Sequence, residues 1–182
     1  MSSSLGFYAS QISGHLSTNN FSSIATVTVG SGGASSITFS SIPSTYTHLQ
    51  IRGIYGQSYS TSKEILMSFN GDNGTNYTTH QLYGSGSGAY AYGGTGITST
   101  YVGQSGGTAN YFGTTIIDIL DYANTNKNKT ARMLWGFDMN GSGQIFLSSS
   151  LWSNTSAITS ITLAQSSGNM AQYSSFALYG VK

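Results

Sequence analysis

The chain has 182 residues, of which 38% are hydrophobic but only 6% charged, six Lys and Arg against five Asp and Glu, and it contains no cysteine. About 25% charged is usual for a soluble globular domain, so most of this surface must be Ser, Thr, Asn, Gly and Tyr, and a near-zero net charge favours association. These figures argue against disulfides and thiolate metal sites, against a nucleic-acid face, which needs clustered Lys and Arg, and against a membrane span, since no run approaches about 18 apolar residues.

One substantial core fits this length, and nothing forces a second domain. Residues 1–16 (MSSSLGFYASQISGHL) lack the basic and continuous apolar regions of a secretion signal, so synthesis in a cytoplasm is expected. Residues 1–20 show no core-grade periodicity, yet they carry Leu5, Phe7, Tyr8, Ile12 and Leu16. Five apolar residues exceed what a solvated tail needs, so they read as an arm that docks on a partner, ahead of one domain spanning 21–182.

From Phe21, FSSIATVTVG is rich in β-branched residues, with Ile24, Thr26 and Thr28 on one face and Ala25, Val27 and Val29 on the other, and predicts a strand, which Gly30-Ser31-Gly32-Gly33 breaks. Ile37 and Phe39 then alternate with Ser and Thr. Pro43, the chain's only proline, turns a corner, and Leu49 and Ile51 alternate with Gln50 and Arg52. Two strands with one buried face each follow from that writing. Residues 64–70 set Ile65, Met67 and Phe69 on one face. Asn70-Gly71 begins a turn, and YTTHQLYG at 77–84 is expected to return as a hairpin.

Residues 84–109 are almost wholly Gly, Ser, Thr, Ala and Tyr. A stretch this long without periodicity reads as a surface loop or weak strand, or as a functional loop. Tyr83, Tyr90, Tyr92, Tyr101 and Tyr111 are spaced there among glycines as in adaptable binding loops, where tyrosine gives contact area at low entropic cost. Order returns at 112–122 with Ile117 and Ile119 opposing Ile116, Asp118 and Leu120, and at 130–139 with Ala131, Met133, Trp135 and Phe137 on one face. Further strands are expected at 144–149, 157–163 and 173–181. The tally is nine or ten short strands without a convincing helix. It predicts an all-β fold, an antiparallel two-sheet sandwich of jelly-roll type.

No catalytic constellation stands out. Gly103-Gln104-Ser105-Gly106-Gly107 matches the nucleophile-elbow pattern, but no helix start follows it, so the match is one of composition. His15, His48 and His80 show no zinc spacing, and His48 and His80 read as satisfied structural histidines. Asn70, Asp72 and Gly74 echo a calcium loop without its terminal glutamate. Asp118, Asp121, Glu64 and Asp138 offer no acid and base pair for glycoside hydrolysis. The sequence gives no ground for an enzyme, a metal or a cofactor.

The phrases TVTVGSGGASSITFSSIPSTYTHLQIRG, SFNGDNGTNY, DILDYANTNKNKTAR and SFALYGVK together resemble short virion-associated proteins of tailed bacteriophages of marine bacteria and cyanobacteria. The resemblance runs from about residue 9 to 182 and is thinnest from 83 to 110. It implies a structural protein on the virion surface, made in the host cytoplasm, either as a capsid decoration or head fibre or in the tail-fibre apparatus. It carries no catalytic residues. Its partners would be other virion proteins and further copies of itself, as a trimer or another ring. Host glycan is a further candidate ligand, through the tyrosine-rich stretch.

Overall fold

The computed structural model describes residues 20–57 and 62–182. Among them are twelve strands: β1 (Phe21–Thr28), β2 (Ser36–Phe39), β3 (His48–Tyr55), β4 (Lys63–Phe69), β5 (Tyr77–Gly84), β6 (Ala89–Ile97), β7 (Thr100–Ser105), β8 (Gly113–Leu120), β9 (Lys129–Asp138), β10 (Gly143–Trp152), β11 (Ile161–Gln165) and β12 (Ser175–Val181). They form two antiparallel sheets, ordered β1-β12-β3-β8-β9-β10-β5-β6 and β2-β11-β4-β7. The expected all-β sandwich is what forms.

The strand order explains its shape. The strands β1-β12-β3-β8 face β2-β11-β4-β7, and the chain alternates between sheets as it passes from β1 through β4, from β7 to β8 and from β11 to β12. That is an eight-stranded jelly-roll path. The other four strands are two hairpins, β5–β6 and β9–β10. They join through β10 and β5, and β9 pairs with β8, so together they lengthen one sheet only.

Period-two alternation supplies the core. Leu49, Ile51, Ile117, Ile119, Phe176 and Leu178 of the large sheet pack with Ile37, Phe39, Ile65, Met67, Phe69, Ile161 and Leu163 of the small one, all essentially buried. The corner at Pro43 is pinned from across the fold, because the Tyr122 hydroxyl donates to the Pro43 carbonyl and accepts the Tyr46 N–H. Lys129 is buried, and its Nζ donates to the carbonyls of Asn124 (2.6 Å), Lys127 (2.9 Å) and Thr155 (2.8 Å). One ammonium thereby ties the β8–β9 turn to the loop after β10. Desolvation, with Lys127 adding to it, holds this lysine below the usual range.

Three expectations need correction. The segment 77–84 does not return as a hairpin on 64–70: β4 belongs to the small sheet and β5 to the large one. The turn expected at Asn70-Gly71 does form, since Asn70 (φ 53°) and Gly71 (φ 68°) both adopt positive φ. However, Asp72 then redirects the chain, accepting from Trp152 Nε1 (2.7 Å), Asn76 Nδ2 (2.9 Å) and the Gly74 N–H (2.8 Å). Second, the strand tally is twelve rather than nine or ten: of the loop and weak-strand readings of residues 84–109, the strand forms, as β6 and β7. The small residues of β7 are there for fit: a Cβ on Gly103 would lie 2.5 Å from the Tyr55 ring. Third, His80 is not a satisfied histidine but is exposed on β5.

Candidate functional site on the inserted hairpins

The two inserted hairpins carry large apolar side chains on both faces. On the face turned away from the small sheet, the ladder register lines up Ala91, Leu82, Leu147, Leu134 and Ile116 across five strands. The next row reads Gly84, Ile145, Gly136, Thr114 and Ile54. Leu147 is 59% exposed, Ile145 60%, Leu82 58% and Leu134 48%, with Ile116 and Ile54 close behind. Together these six side chains leave roughly 600 Å² of aliphatic surface in water, at the top of the range for the largest patch on a typical monomer. At about 25 cal/mol per Å², covering it yields of order 15 kcal/mol per copy before subtracting the cost of association, ~4–15 kcal/mol or more for lost translational and rotational freedom together with side-chain ordering and desolvation.

The relief of this face follows from its residue sizes. The leucine row stands as a ridge, and the glycines of the next row leave a trough of about 1080 Å³ beside it, bounded by Ile54, Ile116, Leu134 and Ile145. On the other side of the ridge a second trough, about 700 Å³, is lined by His80, Gly93, Arg132 and Ser149. Towards β1 the same face turns polar and aromatic. Gln50 Nε2 donates to Asp118 (2.7 Å), Arg52 Nε donates to Gln50 (2.8 Å), and the Arg52 guanidinium lies over Phe21 and Tyr179.

The opposite face of the hairpins is aromatic. Tyr90, Tyr83, Phe146 and Trp135 occupy one cross-strand row over β6, β5, β10 and β9. Their rings stack in sequence, with centroids 5.1, 4.8 and 3.6 Å apart. Two residues along β6, Tyr92 meets Tyr101 of β7 edge-on at 6.1 Å. Burial raises the Tyr101 hydroxyl above the ordinary phenol range, and Tyr92 adds to the shift. Tyr90 and Tyr92 remain 46% and 43% exposed. The Gln81 amide nitrogen, in register with Tyr92, is buried without a hydrogen-bond partner. The hydroxyls of Thr79, Ser150 and Thr100 link this face to β7.

Four of the five tyrosines singled out from sequence thus come together in two pairs, on strands rather than on a loop. Tyr111 stands apart, in the turn before β8, where its N–H donates to Thr108. The arm residues Leu5, Phe7, Tyr8, Ile12 and Leu16, and His15 with them, lie outside the described residues. His48 Nδ1 accepts the Asp121 N–H (3.0 Å), the structural role expected of it. The carboxylates are scattered and locally engaged: Glu64 with Ser166, Asp118 with Gln50, Asp121 with Lys127, and Asp138 with the Asn140 N–H. No group of three or more His, Cys, Asp or Glu able to hold a metal exists among the described residues. Sequence reading missed the aliphatic face. A signal for it was present in Ile116-Ile117 and Met133-Leu134-Trp135, where both faces of a strand carry large apolar residues, the pattern of a strand covered on two sides.

Compared with protein-family models, with curated proteins and with solved structures, the chain returns no significant match.

Proposed function

We propose that this protein is a non-enzymatic structural component of a tailed-bacteriophage virion, exposed on the particle as a capsid decoration or head-fibre module and anchored through residues 1–20. The observation that carries the reading is the aliphatic face of the inserted hairpins, on a chain with only 6% charged residues. Such a face is held away from water most simply by assembly into a larger structure. The phrase-level resemblance to virion proteins supplies the setting. Antibody against residues 21–182, used for immunogold labelling of purified particles of the encoding phage, should decorate the head. Removal of residues 1–20 should abolish attachment while the sandwich stays folded by circular dichroism. Unlabelled particles would refute the reading.

A second reading is favoured by one observation, the half-exposed pairs Tyr83–Tyr90 and Tyr92–Tyr101. In it the protein belongs to the tail fibre and binds a host receptor or glycan, with the tyrosine faces stacked on sugar rings. Label confined to the tail, together with glycan binding lost in Tyr90→Ala and Tyr92→Ala, would support it. Fold alone does not decide between the two.

A further inference from the structure

The outer face of the inserted hairpins is complementary to itself, and we propose that a second copy of this chain covers it. The argument begins on β9, the strand at the middle of the patch. Along its outward side the order is Arg132, Leu134, Gly136, Asp138. A two-fold axis lying between the sheets and running across the strands, level with residue 135, would set Leu134 over the partner's Gly136. The same operation would set Arg132 over the partner's Asp138.

The neighbouring strands follow the same exchange. The leucine row of one copy falls on the glycine-containing row of the other, so on β9 and β5 Leu134 and Leu82 meet the positions of Gly136 and Gly84 and enter the trough, while on β10 Leu147 meets Ile145 in the tallest apolar contact of the interface. Sheets packed in this way keep their strands within about 30° of alignment, and a two-fold interface must use one patch twice. Size agrees as well. The roughly 600 Å² from six aliphatic side chains, with a polar rim at Arg132, Asp138 and His80, approaches the about 800 Å² per partner of a standard interface. Arg132 and Asp138 are both exposed, at opposite ends of the apolar stretch, where rim charges fix register.

The inference deepens the assembly reading and rests on it only in treating the protein as one that works in several copies. Its test is run on the purified full-length chain by sedimentation over a wide concentration range, and particle labelling reads the virion placement separately. A concentration-dependent species of twice the chain mass is expected. Leu147→Asp should weaken self-association by about 100-fold or more, because it buries a charge at the centre of the patch, with an unchanged circular dichroism spectrum at low temperature showing that the fold survives. Arg132→Glu and Asp138→Arg should each weaken it about 10-fold, and the double exchange should restore it, since residue 132 of one copy meets 138 of the other.

A chain that stays monomeric overturns the proposal. So does an oligomer indifferent to Leu147→Asp, a ring of three, or a double exchange no better than either single variant. Cross-links within a monomer from residues 1–19 to the face would give the surface to the chain's own first residues and refute the second copy. Self-association by this face in a protein absent from particles would leave the inference standing and remove the virion reading.

Discussion

Replacing Lys129 by methionine keeps the length and most of the apolar stem of the side chain but removes its ammonium. The carbonyls of Asn124, Lys127 and Thr155, now held at 2.6–2.9 Å, would lose their shared donor. Hydrogen bonds to a charged group are worth about 1.5–3 kcal/mol each, and water at the loop surface can recover part of that. The expected loss is therefore about 3–5 kcal/mol, the scale seen when one partner of a buried charged contact is removed. With a urea m-value near 2 kcal/mol/M, the unfolding midpoint should fall by about 2 M at constant m. Lys127→Met is the control, since that lysine is exposed and, among the described residues, pairs only with Asp121 at the surface; its midpoint should stay close to the parent's. A Lys129→Met midpoint lowered by less than about 0.5 M, a loss below about 1 kcal/mol, would refute the view that one ammonium closes these two loops.

Alkaline pH should unfold the protein. Burial pushes Tyr77 up to about 12 and Tyr55 higher still, whereas the unfolded chain releases the phenol proton near 10. The unfolded state therefore binds fewer protons in that interval. Stability is fully present below about pH 10 and is lost as the pH climbs through about 12. A late fraction of tyrosinate absorbance should appear together with loss of β ellipticity; early titration of every tyrosine in a folded protein would contradict this. In acid, Asp72 is held below the ordinary carboxylate range by the Trp152 indole first, then by Asn76 and the Gly74 N–H. Its contribution is full above about pH 3.9 and is lost as the pH falls through its lower folded value. Trp152→Phe should raise that value by carboxyl NMR; an unmoved titration would deny the indole its role. Gly180→Ala would place a Cβ inside the Tyr46 ring and should cost about 1–3 kcal/mol through overpacking, read as a lowered melting temperature. An unchanged melting temperature would show that Tyr46 moves aside freely.

Much of the sandwich is legible residue by residue. Ile37 and Phe39, and Leu49 and Ile51, announce buried faces because each lies between polar neighbours, and Ile117, Ile119, Phe176 and Leu178 keep the same period of two although Ile116, Leu120 or Ala177 stands beside them. The stretch from 84 to 109 is silent for the converse reason. Strand β6 is exposed along most of both faces, so no alternation was selected in it. It is a strand only because its backbone pairs with β5 from Gly84↔Ala89 to Tyr77↔Ile97. Its tyrosines were visible as residues but not as pairs, since Tyr83 meets Tyr90 through a hairpin and Tyr92 meets Tyr101 across two sheets.

By itself, then, the sequence determined the class of fold, the corner at Pro43 and the side of most strands that faces inward, because alternation is a local property of the chain. Only the tertiary structure decided that β4 and β5 part into different sheets, that two hairpins join to extend one sheet past its partner, and that Leu82, Leu134, Leu147, Ile145, Ile116 and Ile54 share one exposed surface. Those facts depend on register between strands distant in sequence, and register is set by hydrogen-bond ladders and packing rather than by any pattern within a single strand.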